Sequence, residues 1–166
     1  MINLKLFIIR DTSPSGICFE ISDELGNQKY SAVFKKTKRG VPKNNIRLDI
    51  KDSERNAVAK IRQLPIVGVS SFSLKTEKSA ATLVVMMSAS GVSCRFYGNN
   101  WHICGNIASK EFTVIDVDNA VIASQTKQSS GFLLEIPNSD NELLGLAAAL
   151  CVNMINTVDK PALQTV

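Results

Sequence analysis

Three groupings of side chains have the types and spacing from which chemistry is commonly built. The first is Cys94, His102 and Cys104, because on a strand His102 and Cys104 share a face and Cys94 lies near in sequence, as a soft zinc site would ask. A structural zinc site, however, takes four ligands in pairs, and the chain has neither Cys-x-x-Cys nor His-x-x-x-His. His102 is the single histidine, so a Ser-His-Asp or Cys-His arrangement has to use it as base, yet Gly-x-Ser-x-Gly is absent. Glycine patterns that cradle phosphates or dinucleotides are absent too. His102 is therefore expected to be a partly buried, hydrogen-bonded histidine. The chain is expected not to be an enzyme, with no catalytic residue, metal or cofactor.

The second grouping is a set of Asp-led stretches: Phe19-x-Ile21-x-Asp23-x-x-Gly26-Asn27, Leu48-x-Ile50-x-Asp52-x-x-x-Asn56, and Phe112-x-Val114-x-Asp116-Val117-Asp118-Asn119. They are oxygen-rich, but a calcium loop of the EF-hand type alternates its ligands, ends in Glu and lies between helices. The simpler chemistry is that of a turn. Asp accepts backbone amides, Asn or Gly takes the left-handed conformation, and a returning strand completes a hairpin.

The third grouping is basic. Lys35, Lys36, Lys38, Arg39, Lys43 and Arg47 fall in a stretch with no acid, and Gly40-Val41-Pro42 at its centre marks an exposed loop. Such a run either forms a charged edge that blocks strand addition or recognises an anionic surface. Each cation near an anionic leaflet contributes about 1 kcal/mol, so on the second reading this run would hold a domain there weakly and reversibly. Nucleic acid is the weaker alternative, because Phe34 is the only aromatic adjoining the cations and no helix has the character of a groove reader.

The elements that position these groups follow from length and pattern. At 166 residues, 45% hydrophobic and 20% charged, the chain has material for one globular domain with a real core. Residues 1–10 read as a first strand and not as a secretory leader, so a cytoplasmic location is expected, with Cys18, Cys94, Cys104 and Cys151 as reduced, inert thiols. The net charge of +4 bears on solubility and anionic partners. Hairpins in series make a meander, whose edges vanish if it closes into a barrel.

Residues 143–152, Leu-Leu-Gly-Leu-Ala-Ala-Ala-Leu-Cys-Val, are apolar on every side. A helix without a polar stripe has to be surrounded. This one is too short for lipid, since a transmembrane helix needs roughly 20 apolar residues and Asn153 and Asn156 interrupt it. Ser139 and Glu142 have capping-box spacing, which predicts a helix over 139–157 within a single domain of residues 1–158, followed by a tail at 159–166. Packing on one sheet face would leave Gly145, Ala147, Ala148 and Ala149 facing solvent. Enclosure by strands uses their thinness, and leaves no internal cavity for a ligand.

The ordered set of Phe-x-Ile-x-Asp-x-x-Gly-Asn units, the mid-chain Tyr97-Gly98-Asn99-Asn100-Trp101, the third Asp-turn hairpin and the closing Asn141-Glu142-Leu143-Leu144-x-Leu146-Ala147 helix resembles the LURP-one-related proteins. These belong to the wider group similar to the tubby C-terminal domain and the phospholipid scramblases. The likeness runs from about Leu4 to Val158. It implies a mainly β fold, a closed antiparallel barrel of about 12 strands threaded by the hydrophobic C-terminal helix, and it brings no catalytic residues. Tubby-like domains bind phosphoinositide head groups through a basic surface, so the resemblance implies an anionic lipid as partner and a place peripheral to a membrane. The stretch 72–81 departs from the pattern by lacking the Asp-Gly turn, which leaves the strand count there open. The reading is a binding module for anionic lipid, with a protein-interaction or regulatory scaffold as the alternative; the oligomeric state is left open.

Overall fold

The computed structural model describes residues 4–12, 18–35, 46–64, 70–89 and 91–164, with helix side chains described as far as Ile155. Twelve strands precede one helix: β1 (Lys5–Asp11), β2 (Cys18–Asp23), β3 (Gln28–Phe34), β4 (Arg47–Asp52), β5 (Ala57–Leu64), β6 (Ser70–Thr76), β7 (Ala80–Ser88), β8 (Gly91–Tyr97), β9 (His102–Asn106), β10 (Glu111–Ile115), β11 (Val121–Gln128), β12 (Gly131–Ile136) and α1 (Glu142–Gln164). Sequence neighbours pair antiparallel everywhere except at β8 and β9, and β1 pairs with β12, with Leu6 opposite Glu135 and Ile8 opposite Leu133. The order ends at β8 and β9, which share no ladder. The result is a nearly closed barrel.

Period-two alternation sends one side chain in two inward. Ile9, Ile21, Leu48, Ile61, Leu74 and Leu83 come from β1, β2, β4, β5, β6 and β7 and are all at most 1% exposed. What they meet is α1. From Leu144 to Ile155 every residue is buried, which excludes packing on a single sheet face. Small residues allow the close approach: a Cβ added at Gly145 would lie 3.4 Å from Ile136 Cδ1 and 3.7 Å from Ala123 Cβ, so the helix backbone itself packs on β12 and β11. Each fully buried Leu or Ile contributes about 1.5–3 kcal/mol.

The start of the helix differs from the predicted capping box. Asn138, not Ser139, is the cap; its side-chain oxygen accepts the Asp140 amide at 3.0 Å above a 3-10 turn over Ser139–Asn141. Glu142 does not reach back, because its half-buried carboxylate instead holds Lys5 Nζ at 3.0 Å and accepts the Tyr30 hydroxyl. A charged partner outweighs a backbone amide there. The helix backbone continues to Gln164, past the expected end at 157.

The hairpin turns follow the predicted chemistry. Asp23 Oδ1 accepts the amides of Leu25 and Asn27, Asp52 Oδ1 those of Glu54 and Asn56, and Asp116 Oδ1 those of Asp118 and Ala120. Gly26 and Asn119 supply the left-handed backbone in the outer two, but in the second it is Arg55, at φ 67°, and not Asn56. In the stretch without an Asp-Gly turn, Thr76 Oγ1 takes the same part by accepting the amides of Lys78 and Ser79, so β6 and β7 form an ordinary hairpin. Among the described residues no helix is long and apolar enough to cross a membrane.

Candidate functional site

The predicted basic run is anchored by its two ends. Lys35 follows β3 and Arg47 opens β4; the Lys35 amide donates to the Arg47 carbonyl at 2.8 Å, and both side chains are exposed. Lys36, Lys38, Arg39 and Lys43 lie outside the described residues. The barrel adds to the two anchors a set of cations that are scattered in the sequence. On the outward face of β3–β6, Arg47 stands opposite Arg62, Asp49 opposite Lys60, and Lys60 opposite Lys75, while Lys51 faces Ser31.

Strands run about 4.8 Å apart, so Lys35, Arg47, Lys51, Lys60, Arg62 and Lys75 share a surface roughly 15 Å wide. Asp49 is the one acid on it, and it is engaged by Lys35 at 3.7 Å. Arg47, Lys51, Lys60, Arg62 and Lys75 make no ion pair with any described residue. Like charges directly opposite on neighbouring strands are destabilising. This wall holds two such pairs, Arg47 with Arg62 and Lys60 with Lys75. Lys51, Lys60, Arg62 and Lys75 lie outside the linear run; the signal that finds two of them is the alternation of β5, Ala-Val-Ala-Lys-Ile-Arg-Gln-Leu, which places Lys60 and Arg62 on one face.

The described cavity lies elsewhere, at the end of the barrel where α1 begins. It measures about 460 Å³ and its charged lining is Lys5, Asp23, Glu24, Lys29, Asp52 and Glu142. Acids outnumber cations, so its potential opposes an anionic head group. Burial, and then the hydrogen bond to Glu142, push the Tyr30 hydroxyl well above its usual range, which keeps it a neutral donor. At the opposite end Lys110 Nζ donates to the Asn153 carbonyl at 2.7 Å, and Gln125 Nε2 donates to Asn153 Oδ1 at 2.7 Å. Burial lowers the Lys110 pKa below the usual lysine range. Both clusters tie the helix to the wall.

His102 is exposed, not partly buried as expected, and pairs across from Ile115 on an outer strand. Cys104 is exposed beside it, whereas Cys94 is half-buried on β8. Burial pushes the Cys94 thiol up to about 12, far from the thiolate a metal requires. Among the described residues no group of three His, Cys, Asp or Glu side chains is placed to hold a metal ion.

No known protein family is matched by the sequence, and no curated protein matches it. Among solved structures the chain is similar to the X-ray structure of the Arabidopsis thaliana protein AT5G01750, a LURP-one-related protein. The likeness has a TM-score of 0.65 at 11% identity, and covers 92% of this chain and 91% of that one. At that identity what the two chains share is the fold, a strand barrel with a C-terminal helix.

Proposed function

We propose that the chain is a non-enzymatic binding module whose β3–β6 wall, extended by the 35–47 run, docks on anionic lipid head groups at a membrane surface. The observation that carries this reading is the pairing of Arg47 with Arg62 and Lys60 with Lys75 on one exposed face, in which like charges cost stability and these four cations make no ion pair with any described residue. A layer of anionic head groups offsets that cost. The barrel interior is filled by α1, so a ligand is met outside it. No aromatic side chain stands among the outward residues of β3–β6, which disfavours base stacking and hence nucleic acid.

Six cations at about 1 kcal/mol each give on the order of 6 kcal/mol, a dissociation constant of roughly 40 µM. Binding is then weak, reversible and salt-sensitive. Cosedimentation with vesicles containing phosphoinositide tests it. Binding should fall steeply as the Debye length shrinks from about 10 Å at 0.1 M salt to about 3 Å at 1 M, and neutral vesicles should not bind. Protein that ignores anionic vesicles at low salt sinks the lipid reading and favours a protein-interaction or regulatory scaffold.

A further inference from the structure

We infer that the free edge of β8 is a docking site for an extended acidic peptide segment of another protein. The sheet order ends at β8 on one side and β9 on the other, although only the 98–101 turn separates them. Trp101 explains why this hairpin does not zip. Its ring is 8% exposed and packs edge-on against Phe96 at 5.8 Å, while its amide donates to Asn99 Oδ1 at 3.1 Å, so the turn is fixed with a bulky side chain inside it.

The two edges are not equivalent. β9 has five residues, and its Gly105 sits so close to β10 that an added Cβ would lie 2.7 Å from the Glu111 carbonyl oxygen. β8 has seven residues, keeps an unshifted register against β7, and carries neither lysine nor proline. Charged side chains, lysine above all, together with proline, bulges, shortness and a covering segment are the usual guards of a free edge. Among the described residues β8 has only the single charge of Arg95, and a lightly guarded edge offers backbone donors and acceptors to another strand.

Charge identifies the occupant. The four strands β6–β9 carry Lys75 and Arg95 and no acid. The outward positions of β8 are Ser93, beside exposed Met86; Arg95, beside Val84; and Tyr97, beside Thr82. Half-buried Val92 and Cys94 pack against the core. An added strand therefore wants small apolar residues inward, and an acid facing Arg95 between apolar residues outward. A second copy of this chain is the poorer fit, because it brings two Arg95 side chains together on an already cationic protein.

The test is hydrogen exchange of the full chain with and without the synthetic peptide Ser-Ile-Val-Glu-Val-Ile-Ser. Without peptide, amides of residues 91–97 that face away from β7 should exchange rapidly. Saturating peptide should slow them, while a peptide with Lys in place of Glu should bind more weakly. Arg95→Glu should weaken the Glu peptide about fivefold, the value of a favourable cross-strand charge pair, and reverse the preference. Replacing Lys60 and Arg62 on β5 by Gln should leave peptide binding in place. Three results would each overturn the inference: no slowing at residues 91–97 with peptide, protection already present in dilute free protein, or protection that grows with protein concentration alone.

Discussion

The two halves of the barrel wall are alike inside and unlike outside. Ile9 and Ile21 on one half and Ile50, Ile61 and Leu74 on the other close on the same helix, and all are at most 1% exposed. Outward, β1 and β12 present half-buried Leu6, Ile8 and Leu133, and Arg10 of β1 stands opposite Glu20 of β2. On β3–β6 the equivalent positions bring Arg47 to Arg62 and Lys60 to Lys75. An opposite-charge pair is what cross-strand energetics favour, and a like-charge pair is what they disfavour. The interior is dictated by enclosing a helix. The exterior of β3–β6 is not, and its two like-charge pairs are what the proposed docking on an external anionic surface has to account for.

The largest expected effect removes what the halves share. Leu146→Lys places a cation at a position that is 0% exposed, at a cost of several kcal/mol against a total stability of about 5–15 kcal/mol. Circular dichroism should show no cooperative melt. In the wild type, Cys151 should react with a thiol reagent only after denaturant is added, since burial is complete and holds the thiol protonated far above its usual range. A soluble Leu146→Lys protein with an unchanged melting temperature, or rapid native labelling at Cys151, would break the common interior.

The next effect separates the halves. Replacing Lys60, Arg62 and Lys75 together by Gln should remove roughly 3 kcal/mol of attraction to anionic vesicles, about 150-fold in affinity. Melting should rise slightly at most, because both like-charge pairs are relieved while exposed charges contribute little to folding. Arg10→Gln on the opposite half should leave vesicle binding unchanged. Equal losses from the two halves would mean that net charge matters and its placement does not.

The enclosed helix is legible in the sequence because burial leaves a one-dimensional trace: no polar residue between Leu143 and Val152. The Asp turns are legible for the same reason, as all their partners lie within four residues. The basic wall is not. Lys60 and Lys75 meet only through strand register, and register is a long-range property that the 35–47 run cannot display. Glu142 misleads in a related way, since its local spacing fits a capping box while its partners, Lys5 and Tyr30, are more than a hundred residues away.

That cluster ties the halves together, because Lys5 belongs to β1, Tyr30 to β3 and Glu142 to the helix both surround. Glu142→Ala removes the ion pair and leaves the half-buried Tyr30 hydroxyl without its acceptor, which costs about 1–3 kcal/mol. Melting should fall by several degrees while vesicle binding stays intact. Loss of vesicle binding at unchanged stability would instead place the acidic cavity in the ligand site.

The smallest expected change is the most discriminating, because stability and binding should move in opposite directions. Arg62→Glu turns the Arg47 neighbour from a like charge into an opposite one, giving the basic wall the arrangement that Arg10 and Glu20 already have. Cross-strand charge pairs contribute about 0.2–1 kcal/mol, so the melting temperature should rise slightly. The same substitution takes a cation from the wall and adds an acid, which should weaken attraction to anionic vesicles by about 2 kcal/mol, roughly 30-fold. A damaged fold loses both properties and a neutral surface loses neither. If stability instead falls, the Arg47–Arg62 pair is not strained by its like charges, and the reading of this wall as a face that gives up stability for an external partner fails at its starting point.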